Sequence, residues 1–243
     1  MTGLRAVPVW DFPTRVFHWL LVLAVAVSYV TGGEEGWLFA LHTASGYVVA
    51  LLLLFRLIWS VIGSPHSRFS DFVYGRQVVA DYVRRLLTLA PPRYVGHNPL
   101  GGWMIVLMLV VLSLAVLTGL FSGEEGGLAG PLSSLLAAPL SEAIGEGHEV
   151  FANLILLLAV VHVCGVLVDW WLTGENLISA MVSGRKQLDE TLAAAEKPVA
   201  PAWRMILAAG IVAIAGVIVF AKTDFAALMT AQAEHKDISH DDD

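Results

Sequence analysis

The chain has 243 residues, 57% of them hydrophobic and 14% charged, with a formal charge of −7. A soluble domain carries about a quarter charged residues, and a nucleic-acid partner demands a basic face that a net-acidic chain does not supply. The single cysteine, Cys164, excludes an internal disulfide, a four-cysteine cluster and a CxxCH attachment sequence, and its apolar surroundings predict a small buried filler.

Five segments are apolar enough, or nearly enough, to span a bilayer, which takes about 20 residues. In chain order they are Val16–Val30, entered through Trp10, Phe12 and Phe17, then His42–Ile62, Trp103–Phe121, His148–Leu172, and a stretch from Pro201 to Ala221. Pro201 suits a first helical turn, where its missing N–H is no loss. Trp37, Trp59, Trp103, Trp170, Trp171 and Trp203 stand near segment ends, as an interfacial aromatic belt requires. No small-residue cleavage site follows the first apolar run, so that run reads as retained.

Arginine and lysine are distributed with one sign of asymmetry. Arg5 and Arg15 precede the first span. Arg68, Arg76, Arg84, Arg85 and Arg93 lie between the second and third, and Arg185, Lys186 and Lys197 between the fourth and fifth. The opposite connections, around Glu34–Glu35 and Gly123–Gly147, hold neither residue. The positive-inside rule puts the N-terminus in the cytoplasm and, after five spans, the C-terminus in the periplasm. The inner stretch Arg76–Leu89 alternates apolar and charged residues with a helical period, as an amphipathic surface helix ended by Pro91–Pro92 would. The tail from Thr223 is polar and ends in three aspartates, Asp241–Asp243.

Four of the eight histidines, His18, His42, His148 and His162, sit in or at the ends of apolar segments. Ionisable side chains there are costly, and each marks a functional site by default. A lone histidine bonded to a neighbouring helix is the ordinary alternative, but four together need a joint explanation. His148 and His162 are 14 residues apart on one segment, close to four full turns, so they share a face about 21 Å apart along the axis. Depth pairs His18 with His162 on the inner side and His42 with His148 on the outer side. Two neutral imidazoles facing across a bundle make a bis-histidine haem site, suited to electron transfer because both axial positions are filled. The expectation is therefore two haem b groups, held without covalent attachment.

Small residues lie on the ligand face. Gly46 is four after His42, Ala152 four after His148, and Gly165 three after His162. They leave room for a macrocycle or simply allow close helix packing. Arg15, three before His18, and Arg56, 14 after His42, are candidate partners for haem propionates, with snorkelling to the interface as the alternative. His66 and His97 read as ordinary loop histidines, and His235 and His240 in the tail as a loose metal site at most.

The segments VWDFPTRVFHWLL, HTASGYVVALLLLFRLIWSVIGSPHSRFSDFV, YVGHNPLGGWMIVLMLV and HEVFANLILLLAVVHVCGVLVDWWLTGENLISAMVSGRK resemble the bacterial cytochrome b561 family over about Val9 to Lys186. That family is similar to the cytochrome b subunits of nickel–iron hydrogenases and formate dehydrogenases. The resemblance implies a four-helix core that binds two b haems, with His18, His42, His148 and His162 at the ligand positions. It also implies electron passage between a quinone and a redox partner.

The expectation is an all-α integral membrane protein of the bacterial inner membrane: a four-helix haem-binding bundle plus a fifth C-terminal transmembrane helix. Residues 1–186 form the di-haem domain, and residues 187–243 the linker, fifth helix and acidic tail. Electrons would pass between the quinone pool and a periplasmic partner, either a basic c-type cytochrome or a dehydrogenase or hydrogenase subunit. Glu34, Glu35, Glu124, Glu125, Glu142, Glu146 and Asp241–Asp243 give an acidic outer face that steers a basic partner. Two other readings compete: a stand-alone superoxide:quinone oxidoreductase, disfavoured by outer loops without Lys or Arg, and a non-redox anchor, which leaves the matched histidines unexplained. For a quinone pocket near the inner haem the sequence offers Arg15, Asp11 and Asp169, each equally an interfacial charge.

Overall fold

The computed structural model describes residues 4–123, 129–194, 197–223 and 225. The expectations on Glu124, Glu125, His235, His240 and Asp241–Asp243 lie outside the described residues. Strand β1 (Arg5–Pro8) precedes helices α1 (Phe12–Val30) and α2 (Trp37–Ile62). A connection with the short α3 (Phe69–Phe72) and α4 (Arg76–Leu87) leads to α5 (Pro99–Phe121). Then follow α6 (Ala138–Thr173), α7 (Leu177–Ser183), strand β2 (Arg185–Leu188), α8 (Glu190–Ala193) and α9 (Ala202–Lys222).

Helices α1, α2, α5, α6 and α9 are long and apolar enough to cross a membrane. The protein is an all-α, multi-pass membrane protein: only a helix or a closed barrel satisfies its own backbone in hydrocarbon. Each span ends within a residue of its sequence-based limit; the fifth also begins where expected, just after Pro201, whereas the other four begin earlier, most of all α6, which starts ten residues before His148. Hydropathy marks the hydrocarbon-embedded part, whereas the helix runs on into the interface. Pro139 enters α6 in its first turn, where no intrahelical donor is lost. At 36 residues α6 is about 54 Å long, well beyond the roughly 30 Å hydrocarbon core. Cys164 on α6 is exposed rather than buried, a correction to the expected filler. A thiol behaves as a small apolar group and tolerates an outward helix face.

The chain forms two compact units, with cuts inside the long helices. The first comprises Met1–His18, Phe55–Leu109 and Leu156–Ala209. In it β1 and β2 pair antiparallel, Arg5 opposite Leu188 through Pro8 opposite Arg185, a ribbon the sequence reading did not anticipate. Val7, Val9, Trp10, Ala180, Leu188 and Ala193 bury together against it. Full burial of Val7 and Leu188 contributes about 1.5–3 kcal/mol each. Gly184 adopts a left-handed φ of 82° after α7, and its carbonyl accepts from Val9 and Trp10 at 2.8 and 3.1 Å. Helix α4 is amphipathic as expected, but it ends at Leu87, ahead of Pro91–Pro92, through Leu89 at φ 56°. Its buried Tyr82 donates to Asp169 at 3.3 Å.

The second unit comprises Trp19–Leu54, Val110–Ile155 and Gly210–Asp243. Its buried residues include Ala24, Tyr47, Val49, Leu53, Val111, Leu112 and Ile155. Ser28 and Ser45 hydroxyls meet at 2.7 Å, Tyr29 donates to Asn153 at 3.1 Å, and Tyr47 packs edge-on against Phe220 of α9 at 5.8 Å. The segment after α5 is tied down by Gly130 N–H to Ser122 O at 2.7 Å and Gly123 N–H to Ser141 O at 2.9 Å.

Candidate functional site

In the second unit His42 of α2 and His148 of α6 come together, with ring centroids 6.0 Å apart and planes nearly perpendicular at 88°. An imidazole nitrogen lies about 2 Å from a first-row metal ion, so two rings on opposite sides of one ion have centroids about 6 Å apart. Each ring is held from behind. His42 Nδ1–H donates to Ser28 O and His148 Nδ1–H to Ala115 O, both at 2.8 Å. A carbonyl only accepts, so the proton is on Nδ1, and the Nε2 lone pair is free to ligate.

Glycine stands beside both rings but is required only at His148. Gly32 stands four residues after Ser28, and Gly119 four after Ala115. A Cβ at Gly32 would sit 3.6 Å from His42 Cε1, whereas one at Gly119 would sit only 2.8 Å from His148 Cε1. The sequence reading passed over both, although a glycine four residues beyond an acceptor on a neighbouring helix is a signal that spacing carries. Gly46, singled out from sequence, has no atom within 4 Å of a Cβ added to it.

In the first unit His18 of α1 and His162 of α6 lie within electrostatic reach of each other. Gly165 is likewise open around an added Cβ. Asp11 accepts from Thr14 N–H at 2.9 Å and Trp59 Nε1–H at 3.0 Å, so it starts α1 and anchors α2. Arg56, only 3% exposed, donates from Nη1 to Ser67 O at 3.0 Å, and its guanidinium lies 5.8 Å from the Phe17 ring and 5.6 Å from Phe72. Arg15 donates from Nη1 to Val182 O at 2.7 Å, and its Nε is buried without a hydrogen-bond partner among the described residues.

Asp169 accepts from Tyr82 and Asn98. Burial first, then the Asp169 charge, raises the Tyr82 hydroxyl above its ordinary pKa. Lys186 pairs with Glu175 at 3.3 Å and donates to the Tyr94 and Gly96 carbonyls, and burial lowers its pKa. Arg93 joins this group through Glu175 at 3.8 Å and the Thr173 carbonyl.

His66 and His97, set aside in the sequence as loop histidines, are half-buried here. His66 Nε2 and His97 Nδ1 are buried without hydrogen-bond partners among the described residues. Desolvation holds both below the ordinary histidine value. For His97, Arg56, Lys186, His66 and His162 then press in the same direction. Asn98 fixes His97 in place: its Oδ1 caps α5 by accepting from Gly101 N–H at 2.7 Å, and its Nδ2 donates to Asp169 at 2.9 Å. The Asn98–Pro99 pair, a cap followed by a first-turn proline, was the signal in the sequence.

The fold and these paired imidazoles define a class: a multi-pass helical membrane protein built to grip a metal cofactor from two sides. The model of the family "Prokaryotic cytochrome b561" matches residues 9–184, and the chain belongs to that family. It is a membrane b-type cytochrome of electron transport and binds haem b. A relative from Cupriavidus necator named as a probable Ni/Fe-hydrogenase B-type cytochrome subunit is 27% identical over 213 residues, 75% of this chain and 87% of the relative. Proteins of the same name from Azotobacter vinelandii (29% over 210 residues, 74% and 88%) and, as the hydrogenase 1 subunit, from Escherichia coli K12 (28% over 208 residues, 72% and 88%) are similarly related. No solved structure matches the chain.

Proposed function

We propose that the chain holds two b haems, an outer one between His42 and His148 and an inner one between His18 and His162. Through them it carries electrons between a periplasmic redox partner and the membrane quinone pool. The observation that carries this reading is the His42–His148 pair: rings 6.0 Å apart, with both Nδ1 protons committed to backbone carbonyls. Bound haem supplies a one-electron carrier. The chain would supply the four imidazoles that hold it, with the His42 and His148 tautomers fixed by backbone carbonyls.

The partner is a hydrogenase: the relatives carry that assignment in their names and align with about three-quarters of this chain at 27–28% identity. Arg and Lys on one set of connections support a cytoplasmic N-terminus, a periplasmic C-terminus and an inner-membrane address. Glu34 and Glu35 between α1 and α2, and Glu142 and Glu146 near the start of α6, are exposed and suit a basic docking surface. Residues 1–186 are the haem-bearing part, and residues 187–243 add the fifth helix and tail.

The test is a reduced-minus-oxidised spectrum of the purified protein with a haem-to-protein ratio. Two b haems per chain are expected, one of them lost on His162→Ala. A colourless protein, or both haems surviving that change, would refute the reading.

A further inference from the structure

Buried nitrogens outnumber available acceptors in the first unit. His97 Nδ1, His66 Nε2 and Arg15 Nε are shut off from solvent with no hydrogen-bond partner among the described residues. The oxygens of the nearby carboxylates are engaged except Glu175 Oε1, which accepts no hydrogen bond among the described residues. Asp11 serves Thr14 and Trp59, Asp169 serves Tyr82 and Asn98, and Glu175 is ion-paired with Lys186 and Arg93. An unpaired buried polar group costs about 1–3 kcal/mol, and a bound group with oxygens to offer would satisfy those of these nitrogens that carry a proton.

His97 is the best placed of the three. Its ring is wedged between Trp10, with centroids 4.4 Å apart, and Phe72, at 5.0 Å. Its backbone carbonyl accepts from Tyr74 Oη at 3.4 Å, and Asn98 locks the next residue into the α5 cap. The imidazole therefore has little freedom to turn elsewhere. Arg56 and Lys186 are the cations within electrostatic reach, and His162 is the haem-ligand candidate within the same reach. Arg56 is buried, and its guanidinium also faces Phe72, which links it to the His97 pocket.

We propose that His97, backed by the Arg56 guanidinium, donates from Nδ1 to a carboxylate oxygen of the haem held at the inner histidine pair. The proposal rests on reading His18 and His162 as that haem's ligands. An acceptor oxygen here has two possible sources, a haem propionate and a quinone carbonyl. A buried guanidinium, Arg56, whose hydrogen bond goes to a neutral carbonyl and which pairs with no carboxylate among the described residues, favours the full negative charge of a carboxylate. His97 is then a positioning residue: it fixes the propionate, and by offsetting its charge it makes the ferric iron less favourable.

The test uses the full-length protein in detergent, unmodified and with His97→Leu or His97→Asn, since the Asn amide reproduces a donor near Nδ1. Each haem is titrated spectroscopically, and ubiquinone-1 affinity is measured alongside. In His97→Leu the inner haem's reduction equilibrium should move about tenfold toward the oxidised form, equivalent to about 59 mV for a one-electron couple. The outer haem and ubiquinone-1 affinity should not move, and His97→Asn should recover most of the shift. Unchanged haem titrations in His97→Leu overturn the proposal. So does a loss confined to ubiquinone-1 binding, which assigns the oxygen to a quinone. Equal effects of Asn and Leu also overturn it, because they mean packing rather than donation. A failure of the underlying reading shows separately, as an unmodified protein without two haem components.

Discussion

Replacing Gly119 by alanine should damage the outer haem site and leave the inner one alone. A Cβ there would lie 2.8 Å from His148 Cε1 and 3.0 Å from Nδ1, against the roughly 3.5–4.0 Å of a relaxed contact. The ring must retreat by about 0.7 Å or more, which stretches the 2.8 Å bond from Nδ1 to Ala115 O. Losing that bond costs about 0.5–1.5 kcal/mol, and overpacking adds about 1–3 kcal/mol. Together these come to about 1.5–4.5 kcal/mol, or roughly 10- to 1500-fold in outer-haem affinity at 1.4 kcal/mol per tenfold. Alanine favours the helix over glycine by about 1 kcal/mol, so α5 itself should not weaken. Haem titration of the purified protein, read as the haem-to-protein ratio and the reduced-minus-oxidised spectrum, measures the effect. Gly32→Ala is the internal control, because its Cβ would meet His42 Cε1 at an ordinary 3.6 Å. Two fully retained haems with unaltered spectra in Gly119→Ala would refute the reasoning.

Two more outcomes follow from the inner-side cluster. His97 is held neutral by burial, with a folded pKa well below the ordinary 6.5. The unfolded chain takes up a proton there as pH drops below about 6.5 and the fold does not, so stability is full above that value and declines below it. Stability should therefore fall as the pH is lowered from 7 to 5. His97→Asn should flatten this part of a thermal-unfolding profile, and an equally steep profile would count against a neutral His97. Lys186→Met strips the cation from buried Glu175 and leaves only Arg93 at 3.8 Å. A loss of about 3–5 kcal/mol is expected in denaturant unfolding, mostly recovered by adding Glu175→Gln; no recovery would mean that the lysine stem, not its charge, matters.

Much of this protein was legible along the chain. Five apolar runs, their C-terminal limits and the 14-residue interval from His148 to His162 are local properties, and hydropathy and the helical period report them directly. The bilayer strengthens that legibility, because it permits few alternatives to a helix. The same local view undershot the helix starts, missed the β1–β2 ribbon and took His97 for a solvated loop residue. Those features depend on partners far apart in sequence: Arg5 with Leu188, His97 with Trp10, Gly119 with His148. Sequence alone determined the kind of protein and the spacing of the histidines along its spans. Only tertiary structure decided which carbonyl takes each Nδ1 proton, and which buried donors still lack an oxygen, because a hydrogen bond is set by distance and direction rather than by residue type.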